Sequence, residues 1–376
     1  MKRVKRGCQR SVKSSVCCEF PLVIWQEIAS FAVGSLKQWI AMSHVNRTLH
    51  QAMQHPRVLS HCKIYLTNAL YLSKLNASVR RLSMAFAPLM NATLETRPNL
   101  FDRLTSLQYL DLSSTNITTL RHLQALPNLH TLVLRSCSAL RSLSDLPRWP
   151  SLTRLDAQQS TVAWNSLGVV LGMPKLSWLS FNRCHLQDGD MDQCVPCNTL
   201  TSLDLSFAEL TDAGLNCLAM LPNLDMLNLS HLESITHVGA LASLTKLRTL
   251  YLDGCISLVD ISALACLDQL QLLNMYKCVN VTTLAPLSGL SSLQSLTFGH
   301  CRIHDLTPLS TLRQLRRLGL NACKLLSNLD AVEGLQLDYL DVTDCKPNLR
   351  TQALSRPNTK LDPRSQCNSV FIIVPT

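Results

Sequence analysis

Residues 247–255 read LRTLYLDGC, residues 270–278 LQLLNMYKC, residues 293–301 LQSLTFGHC, residues 315–323 LRRLGLNAC and residues 337–345 LDYLDVTDC. The five stretches share Leu at the first and fourth places, an apolar residue at the sixth and Cys at the ninth. Moving toward the N-terminus, the same LxxLxLxx[C/S/T/A] form returns, with substitutions, at Leu107, Leu129, Leu152, Leu176, Leu200 and Leu224. The first and last of these eleven blocks start 230 residues apart, so ten steps give a mean period of 23. A repeat of that length is one supersecondary unit that cannot bury its apolar face alone and must stack on its neighbours.

Within a block, the fourth and sixth places alternate with polar neighbours, which is the two-residue period of a short strand. Leu110 and Leu112 are expected inside and Asp111 outside. Parallel stacking at ~4.8 Å per strand would then bury one continuous leucine core. The return half of the repeats has apolar residues every third place, as in Ile303, Leu306, Leu309, Leu312 and Leu315, or Leu284, Leu287, Leu290 and Leu293. That spacing suits short 3₁₀ turns. The longer fifth return, ELTDAGLNCLAMLPNL, places Asp212 after Thr211 to open a true helical turn. Ala157 at a sixth place, and Ala208 and Leu232 at ninth places, depart from the pattern and predict local irregularity over residues 150–235.

On these blocks the segment resembles the leucine-rich repeat family. The resemblance implies an α/β class fold, a leucine-rich repeat solenoid with parallel strands on its concave face and short 3₁₀ or helical turns on its convex face. The repeat lengths resemble both the shorter phosphatase-regulator type and the longer cysteine-containing type.

Of the 376 residues, 47% are hydrophobic and 16% charged, which excludes a chain too polar to fold. No apolar run approaches the ~18 residues of a membrane span, so no membrane partner is expected. The sixteen cysteines are explained by position. Cys137, Cys184, Cys255, Cys278, Cys301, Cys323 and Cys345 occupy one repeated place, a packing ladder of small, weakly donating thiols. Such thiols fit a reducing compartment, and a cytoplasmic or nuclear location is expected. Six of the ten net positive charges lie in residues 1–18, which hold no acid. This arm is either a nuclear-targeting or polyanion-binding segment or a solvated tail. The repeat body is nearly balanced, which disfavours nucleic acid as its ligand.

Residues 20–60 lie outside the repeat. Pro21 suits a first helical position; Ile24, Ile28 and Phe31 then share a face, and a second apolar pattern runs through Met42, Val45, Leu49 and Met53. This small helical N-terminal module resembles an F-box: Phe20-Pro21 stands for Leu-Pro, Ile28 is the ninth residue, and Val45-Asn46-Arg47 stands for the later Val-x-Arg. Phe20 for Leu, Val23 where an acid is common and extra residues near Gly34 depart from that pattern. The resemblance implies binding to a Skp-type adaptor within a cullin complex, an SCF ubiquitin ligase, with Pro21, Ile28, Leu36 and Val45 on or shaping the adaptor-facing surface. The alternative is a plain helical cap for the open end of the array, on a scaffold or phosphatase regulator unrelated to ubiquitin. The expected organisation is a basic tail (1–19), the helical module (20–60), degenerate opening repeats (61–106), regular repeats (107–345) and an end segment with a flexible tail (346–376).

No phosphate-cradling loop, zinc-protease helix or nucleophile elbow is present, so no enzyme and no cofactor are expected. The best metal candidate, Cys184 and His185 with Cys194 and Cys197, is weak because Cys184 sits on the inward-facing ladder and a second Cys-x-x-Cys is lacking. The third, fifth, seventh and eighth places of each block should face the concave side. Tyr109, Trp178, Phe207, Met226, Tyr251, Tyr276 and Tyr339 fall there in an aromatic-poor chain, a pattern that fits a protein partner. Arg135, Arg154, Arg183, Arg248, Lys277, Arg316 and Arg317 flank them, alongside Asp111, Asp156, Asp204 and Asp253, so the expected surface is mixed in sign.

Overall fold

Each block folds as one coil of a solenoid. The computed structural model describes residues 63–66, 72, 75, 77–87, 90–143, 145–161, 167–355 and 371–373. Thirteen three-residue strands lie side by side in chain order, all parallel. They are β1 (Lys63–Tyr65), β2 (Arg81–Ser83), β3 (Tyr109–Asp111), β4 (Thr131–Val133), β5 (Arg154–Asp156), β6 (Trp178–Ser180), β7 (Ser202–Asp204), β8 (Met226–Asn228), β9 (Thr249–Tyr251), β10 (Leu272–Asn274), β11 (Ser295–Thr297), β12 (Arg317–Gly319) and β13 (Tyr339–Asp341). A fourteenth, β14 (Phe371–Ile373), pairs antiparallel with β13, inside the segment expected as a tail.

The strands are short because only places three to five are extended. Place four points inward: Leu110, Leu132, Leu155, Leu179, Leu203, Leu227, Leu250, Leu273, Leu296, Leu318 and Leu340 are all buried, one beside the next in register. Places one and six add to the same column, making one uninterrupted core. Each fully buried leucine contributes ~1.5–3 kcal/mol relative to exposure.

The ninth-place thiols do more than fill space. Cys137, Cys184, Cys255, Cys278, Cys301, Cys323 and Cys345 each donate to the sixth-place carbonyl of the preceding repeat, at 2.9–3.3 Å. Ser160 makes the equivalent bond to Leu134 at 2.5 Å. Ala208 and Leu232 have no donor to offer. There the carbonyls of Phe181 and Leu205 accept the amides of Cys184 and Ala208 at 3.1 and 3.2 Å.

The return halves run through 3₁₀ segments at Arg121–Leu123, Gly214–Met220, Gly239–Ser243, Ser262–Cys266, Ala285–Leu287, Thr307–Leu309 and Asp330–Val332. Among the described residues, four α-helices interrupt this pattern: α1 (Met90–Thr96), α2 (Leu167–Leu171), α3 (Asp188–Met191) and α4 (Pro347–Leu354). Two expectations are corrected. The helical turn expected after Thr211-Asp212 is 3₁₀, because Asp212 reaches the next repeat instead, accepting the amides of Thr236 (2.8 Å) and His237 (3.1 Å). The irregularity expected over 150–235 does not reach the sheet, where β5 to β8 pair without a break. It is confined to the convex side, at α2 and α3.

Candidate functional site

The concave face has a floor and two rims. The floor is the fifth-place column, Asp111, Val133, Asp156, Ser180, Asp204, Asn228, Tyr251, Asn274, Thr297, Gly319 and Asp341, aligned strand to strand. Where this residue is Asp or Asn, its side chain usually accepts the amide two residues on and so ends the strand, at 2.9–3.4 Å for Asp111, Asp156, Asp204, Asn228, Asn274 and Asp341. This is the local bond for which Asx residues favour turns. Further bonds tie the floor together: Ser83 to Asp111 (3.0 Å), Arg135 to Asp156 (2.6 Å), Gln158 to Asn182 (3.0 Å) and Ser230 to Asp253 (2.5 Å). The bond from Arg135 to the buried Asp156 carboxylate, together with the Coulomb attraction, raises the guanidinium's proton affinity.

The eighth place forms one rim, and its backbone is left-handed in twelve successive repeats, from Phe86 to Asp344, with φ between 55° and 76°. Only Gly254 meets this with a glycine. In the others an L side chain costs ~1–2 kcal/mol there. The conformation is held because the eighth-place amide donates to the seventh-place carbonyl of the following repeat, at 2.7–3.0 Å from Phe86 through Ala322. Side chains at this place therefore stand at the edge of the sheet, pointing out.

Ring stacking organises both rims. Along the third place, Arg81, Arg154 and Arg317 each precede an aromatic residue on the next strand, and each guanidinium lies over that ring. The distances to the ring centres are 5.6 Å for Tyr109, 3.3 Å for Trp178 and 5.3 Å for Tyr339. Burial against its surroundings draws the Arg154 guanidinium below its usual proton affinity. Along the eighth place, Arg183 lies 3.8 Å from the centre of the Phe207 ring, and His231 stacks on Phe207 at 4.2 Å with an interplanar angle of 11°. His231 Nε2 is 3.7 Å from Asp253. Just beyond β10, Tyr276 meets His300 edge-on at 5.2 Å, with Lys277 Nζ 5.5 Å from its ring.

All seven residues expected at a partner surface are half-buried. Trp178, Phe207, Met226, Tyr251 and Tyr276 belong to five neighbouring repeats, β6 to β10, but at places three, eight, three, five and seven. Tyr109 and Tyr339 lie three strands beyond either end, on β3 and β13. Sequence reading missed His231 and His300 and the stacking of arginine on ring. The signal was present, since Arg154 and Trp178 hold the same place in successive blocks, but side-chain stacking is not a property of spacing alone. Of the acids expected beside the rings, Asp156 is buried, while Asp111, Asp204 and Asp253 are half-buried and hydrogen-bonded within the floor; Arg183 and Lys277 are exposed. Pro21, Ile28, Leu36 and Val45 lie outside the described residues.

The zinc candidate does not assemble. Cys184 Sγ donates to the Ala157 carbonyl at 2.9 Å, His185 pairs with Glu209 at 2.9 Å, and Cys197 Sγ lies 3.4 Å from the Thr199 hydroxyl. Cys194 Sγ lies 3.7 Å from the Cys217 carbonyl, and the interaction of the two thiols holds the Cys194 thiol down and the Cys217 thiol up. Among the described residues no three ligating side chains converge on a common point.

A parallel sheet of one strand per repeat, closed by 3₁₀ turns over a leucine core, defines a leucine-rich repeat solenoid. Two family profiles agree: one described as leucine rich repeats (2 copies) matches residues 105–148, and one described as leucine rich repeat matches residues 198–256. Among solved structures, the chain is similar to an internalin (inlF) of Listeria monocytogenes, with 21% identity over 80% of each chain and a TM-score of 0.54. It is also similar to a chain of the mouse RP105/MD-1 complex, with 22% identity, 81% of this chain and 55% of that one covered, and a TM-score of 0.60. These likenesses are of fold. No curated protein matches the sequence.

Proposed function

We propose that this protein–protein interaction scaffold holds a protein ligand on its concave face. The observation that carries the reading is the rim-and-floor arrangement. Half-buried aromatic side chains and Met226, from five adjacent repeats, stand on a sheet whose floor groups are already hydrogen-bonded, so little ordering is left to pay for on binding. No catalytic role is assigned. Affinity purification of the full chain should yield a partner whose capture is weakened at least several-fold by Trp178→Ala or Tyr251→Ala, with an unchanged melting temperature. Equal capture by both variants places the ligand elsewhere.

The finer reading is a substrate-recognition subunit of an F-box-type SCF ubiquitin ligase, resting on Phe20-Pro21, Ile28 and Val45-Asn46-Arg47. It requires a Skp-type adaptor to co-purify, and capture to be lost on Ile28→Asp. A second reading, a scaffold or phosphatase regulator, is favoured by the three-residue leucine spacing and the 3₁₀ returns. It requires a phosphatase or structural assembly to be captured whether or not Ile28 is changed.

A further inference from the structure

We infer that the concave face recognises an acidic, extended stretch of its protein partner through two ring-backed arginines, Arg154 and Arg183. The inference deepens the proposed protein-binding reading and rests on it. Both guanidinium carbons lie over a ring supplied by the next repeat, at 3.3 Å from the Trp178 centre and 3.8 Å from the Phe207 centre. At such distances a guanidinium stacks on the ring face, and its N–H edges then face sideways. Such an edge matches a carboxylate with two parallel hydrogen bonds.

Other cations on this face are differently placed: Arg81, Lys277 and Arg317 lie 5.3–5.6 Å from their ring centres, too far for close stacking. Arg135 is bound to Asp156, and Arg248 lies 3.6 Å from Asp225. Among the described residues, no carboxylate or carbonyl accepts a hydrogen bond from the Arg154 or Arg183 guanidinium. The acids nearest in the floor have other partners: Asp156 bonds Arg135 and the Gln158 amide, and Asp204 the amide and hydroxyl of Ser206. Asp156 is buried and paired with Arg135, so Arg154 and Arg183 are left without a hydrogen-bonded acid while Asp204 stays half-buried in the floor.

The two arginines sit on opposite rims of adjacent repeats, at the third and eighth places. Five residues along the strand direction put them on the order of 15 Å apart. An extended peptide covers that distance in about four or five residues, so its acidic side chains need that separation. A single-stranded nucleic acid fits less well, because it needs open ring faces for its bases. Here Arg154 covers one face of Trp178, and Phe207 lies between Arg183 and His231.

The test is fluorescence anisotropy on the full-length protein with three labelled probes: a Glu-containing decapeptide with acids at this spacing, its Gln counterpart, and a thymidine decanucleotide. The Glu peptide is expected to bind best. Arg154→Gln and Arg183→Gln should each weaken it ~10-fold, and Arg154→Lys should restore only part of the loss, because a lysine keeps the charge but not the fork. Arg302→Gln, an equal charge change at an exposed position outside the concave face, should change it less than ~2-fold. Melting curves confirm that each variant is folded. The inference is overturned if the Gln peptide binds as well, if Arg302→Gln weakens binding equally, or if the oligonucleotide binds more tightly and responds to the same variants. The underlying reading is tested separately with the co-purified partner and Met226→Arg, which obstructs the third-place rim midway along the five repeats. A partner released by Met226→Arg but not by either Gln variant leaves the concave reading standing and removes the acidic stretch. A partner indifferent to all three removes both.

Discussion

Cys255 combines two roles in one side chain. Its thiol donates to the Leu229 carbonyl at 3.2 Å, and burial pushes its pKa from about 9 to about 12. The unfolded chain therefore releases this proton near pH 9 while the folded chain keeps it. Stability from the thiol is complete below pH 9 and falls as pH rises toward 12, by on the order of 1 kcal/mol per pH unit. Cys184 and Cys301 are shifted in the same direction to about the same value. Urea midpoints measured across pH 9–12 should fall less steeply for Cys255→Ser than for the parent, since a serine hydroxyl does not titrate there. Equal slopes would remove the ladder from the explanation. Gly254 gives a second residue-scale expectation. Other side chains tolerate its left-handed backbone in neighbouring repeats, but a Cβ at this position would lie 2.5 Å from His231 Nδ1. Gly254→Ala should cost ~1–2 kcal/mol in the parent and distinctly less in a His231→Ala background, a coupling that a double-mutant cycle reads directly.

At the scale of the element, a three-residue strand survives because each end is closed by a bond to something else. The Asx bond ends it within the repeat, and the eighth-place amide ties it to the next one. The convex turns use a similar device. Asp188 accepts the Thr211 amide and hydroxyl at 2.9 and 2.5 Å, and one repeat later Asp212 accepts those of Thr236 at 2.8 and 2.5 Å. Burial pushes the Asp212 carboxyl up, but the bonds from Thr236 and His237 outweigh it and hold the group below its ordinary value of 3.8. Its contribution is present above that value and is lost as pH falls through the lower folded value. Thermal melting of Asp212→Asn below pH 4 should show a shallower acid limb than the parent. An unchanged limb would mean that the clamp adds nothing to acid sensitivity.

For the whole molecule, stability is a sum over coils and their contacts, so the ends matter most. At the C-terminal end, α4 buries Leu349 and Ala353 against the last coil, and β14 pairs with the outer edge of β13. Leu349→Ala should cost ~2–4 kcal/mol. Amide hydrogen exchange should show the loss first in the last repeats, around β12 and β13, and only later toward β6. Protection lost evenly along the array would argue for a single cooperative unit instead. Concave-face variants such as Trp178→Ala remove half-buried groups from a rim, and should leave this exchange pattern in place.

How far the sequence reaches follows from these scales. The recurrence of Leu110, Leu132, Leu155 and their successors every 22 to 24 residues was enough to set the coil, the parallel sheet and the inward column, because burial of a periodic apolar row has only one economical solution. It also placed Trp178, Tyr251 and Tyr276 on the exposed side of their strands, since side chains alternate across a pleat. What the ring of Trp178 touches was not legible. Whether Arg154 turns toward solvent, toward Asp156 or onto that ring depends on rotamers and on which carboxylates the floor has already engaged. Only packing the coils together decides those contacts, because they join residues a full repeat apart whose side-chain directions the linear spacing leaves open.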